Sequence, residues 1–121
     1  MTFRRGLVVD DEPASRAVLK HVLEVFGLEV IVAEDGSQAL ELLRSEALDL
    51  VVTDIRMPGT GGVELASRAR DDQGSACPPI VAVTRHPEEA LGTDLFELVL
   101  RKPVAPSQLL TWLRNEAELL R

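Results

Sequence analysis

The chain has 121 residues, 20 of them acidic and 13 basic, which gives a formal net charge of −7. This acidity argues against a nucleic-acid-binding surface, which needs a basic stripe, and no apolar run approaches the ~18–20 residues of a membrane span. A single cysteine, Cys77, excludes an intrachain disulfide and a cysteine-based zinc site. We therefore expect one soluble, cytoplasmic domain over residues 1–121.

Five short apolar runs rich in β-branched residues recur along the chain. They occupy residues 7–9, 30–32, 50–52, 80–83 and 98–100. Polar residues rarely interrupt them, which is typical of strands that are buried on both faces of a parallel sheet.

Helical patterns separate these runs. Apolar residues at helical spacing predict helices over 14–26, 37–46, 62–70 and 106–120. Between the last two runs only residues 87–96 are available and Gly92 interrupts them, so we expect a shortened helix of one or two turns there. The alternation predicts an α/β fold with a single doubly wound, five-stranded parallel sheet and helices on both faces.

Charged and hydroxyl side chains follow four of the five runs. Asp10 and Asp11 follow the first, Asp54 the third, Thr84 the fourth and Lys102 the fifth. The ligand crevice of such folds lies beyond the carboxyl ends of the strands, so these side chains should meet at one edge of the sheet. Three carboxylates with one ammonium would leave a net charge of −2. A hard divalent cation such as Mg²⁺, which prefers oxygen ligands, would compensate it.

Four segments together carry a family resemblance. Residues 7–13 read Leu-Val-Val-Asp-Asp-Glu-Pro, and residues 51–59 read Val-Val-Thr-Asp-Ile-Arg-Met-Pro-Gly. Residues 80–84 read Ile-Val-Ala-Val-Thr, and Lys-Pro follows at 102–103. With these segments the chain resembles, over essentially its whole length, the receiver domain of two-component response regulators and hybrid histidine kinases. The resemblance implies a (βα)5 flavodoxin-like fold and a signalling domain that is not an enzyme beyond its own phosphorylation and dephosphorylation.

The resemblance also implies roles for the acidic residues. Asp54 would accept a phosphoryl group from a histidine kinase or a histidine phosphotransfer protein and become an aspartyl phosphate. Mg²⁺ would be held by Asp54, by Asp11 directly, by Asp10 largely through water and by the backbone carbonyl of Arg56.

Further residues would bind the phosphoryl group and report it. Lys102 would pair with phosphoryl oxygens, Thr84 would swing in to bond one of them, and Pro103 would follow Lys102 through a cis peptide bond. The added charge would shift a two-state equilibrium and so signal to a downstream protein or effector domain, without direct binding of nucleic acid or insertion into a membrane.

Three positions near the acceptor are expected to tune this chemistry. Arg56 and His86 stand two residues after Asp54 and Thr84, where the family adjusts how fast water attacks the aspartyl phosphate. Arg85 stands where the family usually has a small residue. Three interpretations of Arg85 stay open: it crowds the phosphoryl pocket, it pairs with the phosphate, or it points to solvent.

The usual output route of the family is altered. Val99 replaces the Tyr or Phe that many receivers carry three residues before the lysine, and Val104 replaces a frequent Phe. Signalling would instead use backbone order in residues 85–95 or the last helix, where Trp112 either packs on the sheet or forms an exposed patch.

Two other functions compete with a phosphoacceptor. A pseudo-receiver would act as a constitutive protein-interaction scaffold, which the complete set of acceptor-site residues argues against. A haloacid-dehalogenase-type phosphohydrolase would need a second aspartate two residues after the nucleophile, where this chain has Arg56.

Overall fold

Five strands and four α-helices alternate along residues 3–119, the part of the chain that the structure, a computed structural model, describes. The strands are β1 (Arg5–Val9), β2 (Glu29–Ala33), β3 (Leu50–Thr53), β4 (Ile80–Thr84) and β5 (Leu98–Arg101). The helices are α1 (Pro13–Phe26), α2 (Gly36–Ser45), α3 (Gly62–Gln73) and α4 (Pro106–Leu119).

The strands form one parallel sheet in the order β2-β1-β3-β4-β5. This confirms the predicted fold class. The strand order reverses between β1 and β3, and the crevice of a doubly wound sheet lies at that point. None of the helices among the described residues has the length and hydropathy that crossing a bilayer requires.

Two apolar layers cover the sheet. Helices α1 and α4 pack on one face, over a core that includes Val8, Leu19, Leu23, Val52, Val81, Leu109 and Leu113. Helices α2 and α3 pack on the other, over Leu7, Val9, Leu40, Val51, Leu65, Ala66 and Ile80. Each fully buried Leu contributes about 1.5–3 kcal/mol of transfer free energy. The double coverage explains why the strands are apolar without alternation.

The helix boundaries lie close to those predicted from the sequence. Helix α3 runs three residues beyond the predicted 62–70 and ends in a short 3₁₀ turn at Gly74–Ala76. Residue 120, the end of the last predicted helix, lies outside the described residues. Trp112 packs against the core and stacks on Phe3, with ring centroids 6.2 Å apart, which favours the packing interpretation of Trp112.

The segment between β4 and β5 contains one 3₁₀ turn, at Pro87–Glu89. Gly92 has a φ of +81°, so it supplies a left-handed turn where a longer helix would have to continue. A small apolar cluster of Ile55, Ala82 and Ala90 lies beneath the segment, and Val99 packs against it. The shortened helix is therefore confirmed, with a single turn.

Candidate functional site

The sheet register brings the two central aspartates to the same edge. Val9 of β1 is paired with Thr53 of β3, and the backbone N–H of Asp54 donates to the Val9 carbonyl at 2.9 Å. Asp10 and Asp54 therefore follow adjacent strands at the same level. Both are buried, with 0% and 6% of their surface exposed, respectively.

The first turn of α1 fixes the Asp10 carboxylate. The backbone N–H of Glu12 donates to its Oδ1 at 3.0 Å, and the Ser15 hydroxyl donates to its Oδ2 at 2.7 Å. The Arg16 guanidinium donates to the Asp10 carbonyl at 2.8 Å. These bonds replace part of the hydration that burial removes, because a buried charge is costly unless it is hydrogen-bonded.

Asp54 is held by hydrogen bonds from its two neighbours in the chain, Thr53 at the end of β3 and Ile55. Its Oδ1 accepts from the backbone N–H of Ile55 at 2.7 Å, while its carbonyl accepts from the Thr53 hydroxyl at 2.8 Å. Helix α3 begins directly against this loop at Gly62. A Cβ at that position would lie 2.2 Å from the Asp54 carbonyl oxygen, so only glycine allows this approach.

Lys102 provides the cation of the site. Its Nζ lies 2.8 Å from Asp10 Oδ2, 2.9 Å from Asp54 Oδ2 and 3.3 Å from Glu12 Oε1. Burial of the ammonium lowers its pKa, but the hydrogen bonds that it donates to Asp10 and Asp54, together with the negative charges of these residues, outweigh this effect. The pKa of Lys102 therefore lies above its ordinary value, and the side chain is charged at neutral pH.

The loop after β5 positions this lysine. The backbone N–H of Lys102 donates to the Thr84 carbonyl at 2.9 Å, which continues the pairing of β5 with β4. The Lys102–Pro103 peptide bond is cis, the geometry that the resemblance implied.

Glu12 is a residue that the sequence analysis did not single out. Carboxylate oxygens of Asp10, Glu12 and Asp54 all lie within 4.8 Å of one another. Arg85 donates to Glu12 at 2.7 Å. The pKa of Glu12 lies below its ordinary value, first because of the hydrogen bond from Arg85 and then because of Lys102. The sequence feature that could have indicated Glu12 is its position directly after Asp10 and Asp11.

Asp11 occupies a different position from its two neighbours. Its side chain is exposed and lines a depression of about 230 Å³ together with Glu12, Asp54, Arg56, Arg85 and His86. Asp11 is thus at the rim of the depression beside Asp54, and Glu12 supplies the third carboxylate of the close cluster.

Three further predicted residues, Arg56, Arg85 and His86, line the same depression. Thr84 is fully buried, and its hydroxyl accepts from the backbone N–H of His86 at 2.9 Å. The Arg56 guanidinium pairs with Glu89 in the 3₁₀ turn. All the residues singled out from the strand ends therefore lie at one edge of the sheet.

The donor set fits a magnesium ion. Three carboxylates converge on one ammonium, which leaves excess negative charge beside a depression that opens to solvent. Mg²⁺ binds through a few carboxylates and keeps several waters, and both are available here. The backbone carbonyl of Arg56 belongs to the same loop as Asp54.

Comparison with known proteins decides the family. A family model described as the response regulator receiver domain matches residues 7–114. The chain belongs to this family. It is a receiver domain of two-component signalling, in a family whose members bind Mg²⁺ at an acidic pocket and interact with histidine kinases and effector domains.

Several curated proteins are similar to this receiver. A response regulator receiver protein from Anaeromyxobacter sp. is 40% identical over 109 residues, which cover 88% of this chain and 46% of that protein. PhoB, a transcriptional regulatory protein of Pseudomonas aeruginosa, is 33% identical over 89% of this chain and 49% of its own length. The sensor protein GacS of Pseudomonas syringae is 34% identical over 93% of this chain and 14% of its own length. The chain therefore spans half or less of these three relatives.

Solved structures share the receiver fold. The response regulator TrrA from Thermotoga maritima, crystallised in complex with Mg²⁺ and BeF, is 33% identical and superposes with a TM-score of 0.83, over 93% of this chain and 97% of TrrA. The chemotaxis protein CheY4 of Vibrio cholerae is 30% identical with a TM-score of 0.83, over 94% of this chain and 98% of that protein.

Proposed function

We propose that this receiver accepts a phosphoryl group on Asp54 in a Mg²⁺-dependent reaction and changes conformation to signal to a partner. The single observation that carries the proposal is the contact of Asp54 Oδ2 with Lys102 Nζ at 2.9 Å, inside the cluster that also contains Asp10 and Glu12. A phosphoryl group bound to this carboxylate would lie next to an ammonium group. It would also lie next to further carboxylate oxygens that can bind Mg²⁺.

The transfer exchanges one bond to phosphorus for another. A carboxylate oxygen of Asp54 forms a bond to phosphorus while the bond from phosphorus to the donor nitrogen of a phosphohistidine breaks, and the imidazole leaves with the electron pair. Lys102 stabilises the charge on the equatorial oxygens, since positioning and electrostatics supply most of the catalysis in phosphoryl transfer. Thr84, at the end of β4, offers a hydroxyl to one of these oxygens.

A carboxylate and a phosphoryl group repel each other because both are negatively charged. A bound Mg²⁺ would neutralise part of this charge. The ion would be bound by Asp10, Asp54 and the backbone carbonyl of Arg56. Asp11, at the rim of the depression, is the fourth proposed ligand. Glu12 is an additional candidate, because its oxygen lies within 4.8 Å of those of Asp10 and Asp54. The TrrA complex with Mg²⁺ and BeF, on a fold that superposes with a TM-score of 0.83, supports this assignment.

We propose that a histidine kinase or a histidine phosphotransfer protein donates the phosphoryl group. A downstream protein or effector domain would then respond to the phosphorylated chain. The similarity to both the sensor GacS and the regulator PhoB supports this position between donor and output. We propose that the chain itself contacts no nucleic acid, because its net charge is −7. A constitutive scaffold is not favoured, since it would need none of the charged groups that meet at Asp54.

Incubation with acetyl phosphate and Mg²⁺, followed by intact-mass measurement, tests the proposal. We expect one phosphoryl adduct that is labile to base, absent in Asp54→Asn and suppressed by EDTA. Arg44→Met, on α2, is the control that keeps the adduct. Failure of both acetyl phosphate and a cognate kinase to form the adduct would contradict the proposal.

A further inference from the structure

Arg85 and Glu12 form an ion pair across the mouth of the acceptor site. The two guanidinium Nη atoms of Arg85 lie 2.7 and 3.4 Å from the two Glu12 oxygens. The pair joins the end of β4 to the loop between β1 and α1. Both residues line the depression at Asp54 and also a neighbouring depression of about 420 Å³, which contains Lys102, Pro103 and Val104. The ion pair therefore separates the two depressions.

Several negative charges act on Arg85 in this position. Its pKa lies above the ordinary value, chiefly because Glu12 accepts its hydrogen bonds, and the charges of Asp54 and Asp10 add to the effect. Its side chain is 62% exposed, so the ion pair with Glu12 holds it in place rather than burial. Glu12 also contacts Lys102 at 3.3 Å, so one glutamate contacts two cations, Arg85 and Lys102.

We propose that Arg85 is a second phosphoryl-binding cation, which Glu12 holds beside Asp54 until the phosphoryl group forms. This inference rests on the proposed function. A phosphoryl group brings about 1.5–2 units of negative charge and three acceptor oxygens, whereas Glu12 offers one charge. The guanidinium fork also matches phosphate oxygens in a bidentate way. Arg85 therefore exchanges its carboxylate partner for the phosphoryl oxygens.

This exchange has two consequences. Arg85 covers the phosphoryl group on its solvent side and hinders the approach of water, so the aspartyl phosphate becomes longer-lived. At the same time Glu12 loses its contact with Arg85, and the two depressions join. Arg56 lines the same depression, but it pairs with Glu89 in the 3₁₀ turn, whereas Arg85 pairs with Glu12, a member of the carboxylate cluster.

The lifetime of the aspartyl phosphate tests the role of Arg85 against simple crowding. The protein is phosphorylated with acetyl phosphate and Mg²⁺, the donor is removed, and the adduct is followed by intact mass. We expect Arg85→Ala and Arg85→Met to shorten the half-life about three- to tenfold, and Arg85→Lys to give an intermediate half-life, because lysine keeps the charge but not the bidentate fork. Simple crowding predicts instead that Arg85→Met keeps the wild-type half-life, because Met keeps much of the bulk of the side chain without its charge.

Arg44→Met is the matched control. Arg44 pairs with Asp72 on the surface between α2 and α3, and its side chain is 60% exposed, close to the 62% of Arg85. Its loss should leave the half-life unchanged. The difference between wild type and Arg85→Met should also shrink as salt is raised, because salt screens exposed charges.

A second readout does not depend on turnover. The Nε–H signal of Arg85 in an NMR spectrum should shift when beryllofluoride and Mg²⁺ are added, and in Glu12→Gln it should lie nearer to its shifted position before they are added. A wild-type chain that forms no adduct overturns the proposed function and this inference with it. An adduct with equal lifetimes in wild type and Arg85→Met overturns this inference alone.

Discussion

The buried hydroxyl of Thr84 accepts a hydrogen bond from the backbone N–H of His86 at 2.9 Å. This bond links the end of β4 to the first residues of the segment that leads to the 3₁₀ turn at Pro87–Glu89. The oxygen acts as acceptor, so its proton remains available for a phosphoryl oxygen. Rotation of the hydroxyl towards Asp54 would therefore be felt directly by the backbone of the segment, without an aromatic residue at Val99.

Thr84→Val should uncouple this segment from the acceptor site. The substitution keeps the shape but leaves the His86 N–H without its acceptor, so we expect a loss of about 1 kcal/mol in the free energy of unfolding. Hydrogen exchange of residues 86–96, measured before and after phosphorylation, should differ in wild type but not in Thr84→Val. Thr84→Ser should restore the difference. An unchanged response in Thr84→Val would contradict this route.

Lys102→Met should destabilise the chain when no divalent cation is present. The substitution leaves the buried carboxylates of Asp10 and Asp54 without their ammonium, and removing one partner from a buried ion pair costs about 3–5 kcal/mol. We expect Mg²⁺ to recover more stability in this variant than in wild type, because it replaces the missing charge. Urea unfolding with and without Mg²⁺ measures both effects.

Lys20→Met provides the comparison for that experiment. Lys20 pairs with Glu24 on the exposed side of α1, and both side chains are more than 40% exposed. Such pairs contribute about 0.3–0.5 kcal/mol. Equal losses in Lys20→Met and Lys102→Met would contradict the role of Lys102 as the charge that balances the cluster.

Much of the site could be predicted from the sequence because it is built on strand ends. Apolar runs fix where the strands stop, and parallel strands bring Asp10, Asp54, Thr84 and Lys102 to the same edge whatever the loops do. The choice between Asp11 and Glu12 could not be predicted in this way. It depends on the backbone turn after β1, where successive side chains point in different directions.

Ion pairs between residues that are distant in the chain could not be predicted from the sequence pattern either. With 33 acidic and basic residues in the chain, spacing alone does not indicate that Arg85 meets Glu12 or that Arg70 meets Glu97. These contacts depend on long side chains that reach between elements.

Arg70→Met should loosen the segment between β4 and β5. Arg70 of α3 donates to the Leu95 carbonyl and to Glu97, and Glu97 in turn accepts from the backbone N–H of Ile80 at 2.7 Å. Its loss removes the link from α3 to the segment, so hydrogen exchange of residues 88–96 should rise and stability should fall by about 1–2 kcal/mol. Arg68→Met, two residues earlier on α3 and paired with Glu64 on the exposed side of the helix, is the control. Unchanged exchange in Arg70→Met would exclude this anchor.

Cys77 should ionise at higher pH in the folded chain than in the unfolded one. Burial of the thiol raises its pKa above the ordinary value of 9.0. Between about pH 8 and 9, iodoacetamide should therefore react more slowly with the native chain than with the chain in denaturing urea. The unfolded state releases this proton first, so the fold should lose stability as the pH rises above 9.0. Because Cys77 is the single cysteine, mass measurement reports this site alone. Equal apparent pKa values of Cys77 in the native and unfolded chains would contradict the effect of burial on the thiol.

Gly62→Ala should perturb the site at Asp54 by displacing the backbone, since the substitution changes no charge. The added Cβ would lie 2.2 Å from the Asp54 carbonyl oxygen and 2.9 Å from Ile55 Cα, and neither backbone atom can yield as a flexible side chain would. Helix α3 must therefore move away from the loop that holds Asp54, at a cost of about 1–3 kcal/mol. The rate of adduct formation from acetyl phosphate should fall along with the stability. Ser67→Ala, on the same helix, should change neither quantity by much. A Gly62→Ala chain with wild-type stability and rate would mean that the close approach of α3 does not position Asp54.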